Sequence, residues 1–168
     1  MQLSTQNIRT PGGTLSFREL LKLCLDEVCS MMKWPAGHVY LLASPSGVVL
    51  LPTSIWYLDN PKHFEMFRQV SNALRFAKGV GLPGQVFATK EPAWITDVSK
   101  SGTMERARLL NDSGLCSAFA YPVVHKKEVV AVLEFFSDRP IEPDSRILEF
   151  LAKASFELSL AFAAEEKH

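Results

Sequence analysis

Gly79-Val80-Gly81-Leu82-Pro83-Gly84 has the spacing G-x-G-x-x-G, with Asp97 downstream where a ribose-binding acid would stand. That spacing marks a dinucleotide loop only when a buried parallel strand leads into it and a long crossover helix leaves it. Neither flank qualifies. Upstream, Leu74-Arg75-Phe76-Ala77-Lys78 carries two cations where a central strand needs a continuous apolar run. Downstream, Pro83 to Lys90 leaves room for about two helical turns before Pro92, too few for a crossover helix. The glycines therefore have a conformational role: Gly79 and Gly81 supply backbone angles that other residues resist, Pro83 opens a short helix, and Gly84 lets that helix approach a sheet. The first turn of that helix still offers N–H groups to an anion.

The rest of the chain fits a single domain. Its 168 residues can bury a sizeable core, and 47% hydrophobic with 21% charged residues is a globular composition. Eighteen acids balance eighteen bases, so no global field draws nucleic acid or an anionic membrane. No apolar run reaches bilayer length and no basic-then-apolar leader opens the chain, which predicts a soluble, cytoplasmic protein. Cys24, Cys29 and Cys116 form no disulfide framework and read as small hydrophobes in a reducing compartment. Residues 1–13 are polar and loop-like, a flexible N-terminal segment before one domain over 14–168.

Periodicity sets out the elements. Ser16 and Glu19 form a capping box, and Phe17, Leu21, Cys24, Val28 and Met31 follow along one helical face. A second row, Leu20, Leu25, Cys29 and Met32, widens that face beyond one sheet contact, and the helix should stop near Lys33 because Trp34 precedes Pro35. The period then changes to two: strands over His38–Ala43 and Val48–Trp56 flank the turn Ser44-Pro45-Ser46-Gly47. Asn60-Pro61 opens a short helix carrying Phe64, Phe67, Val70 and Leu74. After the glycine stretch come a strand over Ala93–Val98 and a helix over Met104–Asn111 stopped by Gly114. Strands Ala118–Val124 and Glu128–Ser137 flank the turn His125-Lys126-Lys127, with Pro122 marking an edge or bulge. A long helix closes the chain. Pro143 suits its first turn, and Ile147, Leu151, Ala154, Leu158 and Ala161 form one stripe. Phe150, Phe156, Leu160 and Phe162 point elsewhere and call for other cover, most simply a second copy of the chain.

This order is an α+β plan, a central antiparallel sheet of five to six strands with the terminal helices on one face and short helices and loops on the other. Four blocks in sequence, Gly79-Val-Gly-Leu-Pro-Gly-Gln-Val-Phe-Ala, Glu91-Pro-Ala-Trp-Ile-Thr-Asp97, Gly114-Leu-Cys-Ser-Ala-Phe-Ala-Tyr-Pro122 and Glu128-Val-Val-Ala-Val-Leu-Glu-Phe-Phe136, resemble the GAF domain over residues 15 to 165. Together with Trp56-Tyr-Leu-Asp59 they look most like the GAF modules of bacterial histidine kinases and cyclic-dinucleotide enzymes. The resemblance implies a non-catalytic sensory module, dimeric through its terminal helices, with an output signalling domain in the same polypeptide. The alternative within the fold is a thiol enzyme of the free-methionine-sulfoxide reductase type.

The resemblance also implies marks by which cofactor classes can be checked. Bilin-binding members carry a Cys-His pair on the helix before the small-residue strand, and Thr103 to Leu110 holds no cysteine, so a covalent bilin is disfavoured. The Asn-Lys-Phe-Asp-Glu set of cyclic-nucleotide members has no counterpart here. The reductases' catalytic cysteine sits further upstream of the proline than Cys116, which follows a helix C-terminus rather than a thiolate-stabilising N-terminus. Read from the residues, His38, His63 and His125 lie at no ligand spacing, which disfavours metal and haem; His38 reads as an ordinary strand residue and His125 as a solvated turn residue. The fold's ligand, when present, sits between the sheet and the glycine-bearing cover. The expected lining of that pocket is Trp56, Phe76, Trp94, Asp97, Phe119, Tyr121 and Glu134, aromatic with one or two acids, suited to a small organic or cationic molecule. The competing reading places the aromatics in ordinary core and Asp97 at a turn cap.

Overall fold

The computed structural model describes residues 15–44, 47–100 and 106–166. The N-terminal segment, the Pro45-Ser46 centre of the first turn and the expected Met104 helix start lie outside the described residues. Helix α1 (Phe17–Met32) begins at a complete capping box between Ser16 and Glu19 and ends at Lys33, whose φ of +56° turns the chain. It leads into β1 (Ala36–Leu42) and β2 (Val49–Leu58), an antiparallel pair. Two register partners on β1, His38 and Tyr40, face Trp56 and Pro52 on β2, so the β2 stretch between them bulges. Thr53 secures that bulge: its hydroxyl donates to the Val39 carbonyl and accepts from the Ile55 N–H.

Helix α2 (Glu65–Asn72) follows a turn in which Asn60 Oδ1 accepts from the His63 N–H. A two-residue edge strand β3 (Phe76–Ala77) then leads into α3 (Gly81–Thr89). Gly79 and Gly81 have φ of +83° and +63°. At Gly81 a Cβ would lie 2.7 Å from the Phe76 ring, and at Gly84 it would run into the Ala77 carbonyl oxygen. The motif is therefore a tight edge-strand-to-helix turn sealed by Gly79 N–H donating to Gly84 O at 2.7 Å.

Strand β4 spans only Ala93–Ile95, shorter than its hydrophobic pattern predicts, because Val98–Lys100 closes into a 3₁₀ turn. Helix α4 (Ala107–Asp112) ends at Gly114, φ +82°, with the Leu115 N–H reaching back to Leu110 O. Strands β5 (Ser117–His125) and β6 (Glu128–Ser137) are joined by Lys126 and Lys127, both at positive φ, as a type I′ turn requires. Pro122 lies past the last β5 residue paired with β4 and beside a register shift at Val123/Val124, where a missing N–H costs no ladder bond. Helix α5 (Ser145–Glu166) starts two residues after Pro143, so the proline precedes the first turn rather than lying in it: Asp144 is the cap, its side chain accepting from the Arg146 N–H.

The six strands form one antiparallel sheet in the order β3-β2-β1-β6-β5-β4. Helices α1 and α5 cover one face through Leu21, Leu25, Val28, Ile147, Leu151 and Leu158. The opposite face packs under α2, α3 and α4 through Phe67, Leu82, Val86 and Leu110. The second apolar row of α1 needs no partner copy, since Leu20, Leu25 and Cys29 are buried within this same core. On α5, Phe150 and Phe162 also turn inward, leaving Phe156 and Leu160 exposed. Among the described residues no helix is long and apolar enough to cross a membrane.

Candidate functional site

Pleating sends alternate residues of each strand to opposite faces, so the register partners define rows across the sheet. One row runs Trp56, His38, Glu134, Ala120, Ala93 across β2, β1, β6, β5 and β4 and faces α2 to α4. The adjacent row, Tyr57, Gly37, Phe135, Phe119, Trp94, faces α1 and α5. The first row is polar at its centre and small at one end; the second is nearly all aromatic.

This arrangement divides the expected lining. Trp56, Phe76 and Glu134 lie on the cover side. Trp94, Phe119 and Tyr121 lie on the helix side, a correction to the expectation that all seven line one pocket. Trp94 stacks on Phe119 at 3.7 Å, and Trp34 meets both rings edge-on, so these aromatics are core beneath the helix pair. Alternation correctly put Phe119 and Tyr121 on one side of β5, but a single strand's pattern does not say which side faces the cover. Asp97 caps the 3₁₀ turn: its Oδ1 accepts from the Ser99 N–H and hydroxyl, which hold its carboxyl below the usual range.

The polar centre is built around Glu134, fully buried on β6. Arg106 donates from one terminal nitrogen to both Glu134 oxygens at 2.8 Å and from the other to Ser71 Oγ on α2 at 3.2 Å. Its guanidinium sits 5.4 Å from the Phe76 ring centroid and 5.5 Å from that of Phe136. Burial lifts the Glu134 carboxyl above its ordinary range, and the contact with Arg106 pulls it part of the way back. The chain thus satisfies a buried carboxylate with its own cation.

His38 and Tyr40 stand beside this pair on β1. His38 stacks on Trp56 at 3.7 Å, and its Nε2 meets the Thr53 carbonyl at 2.8 Å, so Nε2 carries the proton. Burial pushes its pKa down to about 3, reinforced by Arg106 and opposed by the Thr53 bond. The neutral ring leaves Nδ1 as a buried acceptor with no partner among the described residues. Tyr40 Oη is buried and unpartnered too; Arg106 lies close enough to influence its ionisation but not in hydrogen-bond geometry. Trp56 itself is anchored by its indole N–H to Asn72 Oδ1 at 3.0 Å, and its outer edge joins Lys22, Asp26, Ser30, Tyr57, Leu58 and Pro61 around an open groove of about 480 Å³.

Sequence reasoning missed Arg106 and Ser71 and gave His38 no special role. One signal was present: Glu134 is the only charge inside Val129-Val-Ala-Val-Leu-Glu-Phe-Phe136, and a buried acid demands a buried cation. The other two histidines lie elsewhere. His63 is exposed and bonds the Ser113 carbonyl, while half-buried His125 meets Ser159 Oγ on α5 rather than solvent alone. Among the described residues, no three His, Cys, Asp or Glu side chains gather as a metal site.

A six-stranded antiparallel sheet with paired terminal helices on one face and three short helices on the other defines the GAF/PAS-like class of α+β domains. Within that class, this chain belongs to the GAF domain family, whose model matches residues 14–163. Solved structures agree on the fold. The GAF domain of a phosphoenolpyruvate-protein phosphotransferase (ptsP) from Coxiella burnetii is 18% identical with a TM-score of 0.73, covering 97% of this chain and 90% of that one. The GAF domain of an Acinetobacter phosphoenolpyruvate-protein phosphotransferase is 20% identical with a TM-score of 0.69, covering 91% and 85%. A free methionine-R-sulfoxide reductase from Neisseria meningitidis, in complex with its substrate, is 17% identical with a TM-score of 0.64, covering 90% of each. No curated protein matches the chain.

Proposed function

We propose that this chain is a non-catalytic regulatory GAF domain of a cytoplasmic signalling protein, in the manner of histidine kinases or cyclic-dinucleotide enzymes, binding a small molecule between the sheet and α2–α4. The observation that carries this reading is the buried polar row on the cover side. Packing alone does not call for a carboxylate, an arginine, an imidazole and a phenol in one core layer, two of them with atoms unpartnered among the described residues. Next to them Ala118 and Ala120 leave that end of the sheet floor small. The route to an output domain is α5, tied to the start of α1 by the Phe17 N–H donating to Glu165 Oε1 at 2.8 Å. Exposed Phe156 and Leu160 on α5 form the surface through which a second copy would dimerise.

The reductase reading is favoured by structural neighbours of that activity, and the thiols oppose it. Burial pushes Cys24 up to about 12 and Cys29 well above its ordinary value, and burial with nearby Asp97 raises Cys116. All three are protonated at neutral pH, the opposite of what thiolate attack needs. The test is paired. A thermal-shift screen of nucleotides, amino acids and aromatic acids should find a stabiliser, and the protein should not reduce free methionine sulfoxide above a Cys116→Ser control. Turnover lost in that variant would replace the regulatory reading with the enzymatic one.

A further inference from the structure

We propose that the cover-side site is a receptor for a guanidinium-bearing small molecule and that Arg106 is its built-in competitor, expelled when ligand arrives. The inference rests on the cover side being a ligand site and names the ligand's chemistry. Every part that recognises the guanidinium comes from elements other than α4. Glu134 supplies the carboxylate from β6, Ser71 an acceptor from α2, and Phe76 and Phe136 offer ring faces from β3 and β6. Arg106 enters from the N-cap of α4, a six-residue helix with no side-chain cap bond. The receptor is therefore built on the sheet and α2, and its occupant on the shortest α-helix of the cover.

The present occupant also fits incompletely. With Arg106 in place, His38 Nδ1 lacks a donor and Tyr40 Oη lacks a partner among the described residues, although both are buried beside the guanidinium. The terminal nitrogens of Arg106 are directed at Glu134 and Ser71 and meet neither group in hydrogen-bond geometry. A free molecule carrying a guanidinium together with a further N–H donor and an oxygen acceptor could satisfy both while keeping the contact with both Glu134 oxygens. That gain offsets the advantage of the tethered arginine, whose effective concentration is on the order of millimolar. Once displaced, Arg106 regains water and α4 loses its anchor to the sheet. Glu134 stays paired throughout, so the exchange never strands a buried charge.

L-Arginine is the probe, and citrulline, its uncharged isostere, is the control. Binding is followed by calorimetry and by the Trp56 indole N–H resonance, first in the parent and then in Arg106→Gln, which removes the competitor but not the receptor. Arginine should bind the variant at least tenfold more tightly than the parent. Citrulline should bind neither protein measurably, and Glu134→Gln should abolish arginine binding. Arg106→Lys, which keeps a cation but loses the planar guanidinium and its bond to Ser71, covers the case in which Arg106→Gln does not fold, and should bind arginine at least threefold more tightly than the parent. Equal affinity in parent and variant, equal response to citrulline, or no arginine binding at all overturns the proposal. A screened compound of other chemistry that shifts Trp56 when arginine does not would leave the cover side as a ligand site and remove only the guanidinium assignment.

Discussion

Replacing His38 by glutamine should change how stability depends on pH, because His38 folds as a neutral ring. Its pKa falls to about 3 on burial, against an ordinary 6.5. The folded pKa is depressed, so below pH 6.5 the unfolded chain takes up a proton that the folded chain refuses. The stability involved is fully present above pH 6.5 and is lost progressively down to pH 3. A tenfold change in proton affinity between the folded and unfolded chain is worth about 1.4 kcal/mol, so the loss is about 2 kcal/mol at pH 5 and approaches about 5 kcal/mol below pH 3. Glutamine can still offer an N–H toward the Thr53 carbonyl but cannot titrate. Urea unfolding at pH 7.5 and pH 5.0 measures the difference for both proteins. The burial-raised carboxyls of Glu27 and Glu134 act with the opposite sign and are common to both, so they cancel in the comparison. The parent should lose about 2 kcal/mol more than His38→Gln between these conditions. Equal losses would refute a buried neutral imidazole.

The Arg106–Glu134 pair should behave as a buried ion pair: Arg106→Ala costs about 3–5 kcal/mol in urea unfolding, while Arg106→Met with Glu134→Leu recovers most of that loss. Gly84→Ala should cost about 1–3 kcal/mol in the same assay, because its methyl meets the Ala77 carbonyl rather than a side chain that can move. Phe119→Ala should lower stability by about 3–5 kcal/mol yet leave the affinity of any ligand found by thermal shift within twofold, since its ring lies under α1 and α5.

The architecture was legible because its determinants are local. The Ser16–Glu19 box, Gly114 and the β5–β6 hairpin sit where composition and period placed them. Gly79 and Gly81 have the positive φ that their type allows, and the cations at Arg75 and Lys78 with Pro92 downstream kept the glycine motif from being taken for a phosphate loop. What the sequence hid was which face of each strand meets which layer. A period of two fixes that Phe119 and Tyr121 share a side, and only the cross-strand register of β4, β5 and β6 fixes that the side belongs to α1 and α5. Arg106 was hidden for a related reason: its partner is 28 residues away and the contact exists only once α4 has docked. Apolar excess on α1 was overread because packing between α1 and α5 consumes two helical rows, not one.

The three tryptophans give the most direct test that ligand is received on the cover side. Trp56 lies on that side, in the same row as Glu134 and separated from it by the His38 ring, whereas Trp34 and Trp94 lie under the terminal helices. Their indole N–H resonances in a ¹⁵N-labelled sample, titrated with the strongest stabiliser from the thermal-shift screen, read the two faces separately. The Trp56 resonance should move saturably while those of Trp34 and Trp94 stay in place. Saturable movement of Trp34 or Trp94 with Trp56 unchanged would put the ligand on the other face of the sheet and contradict the site described above.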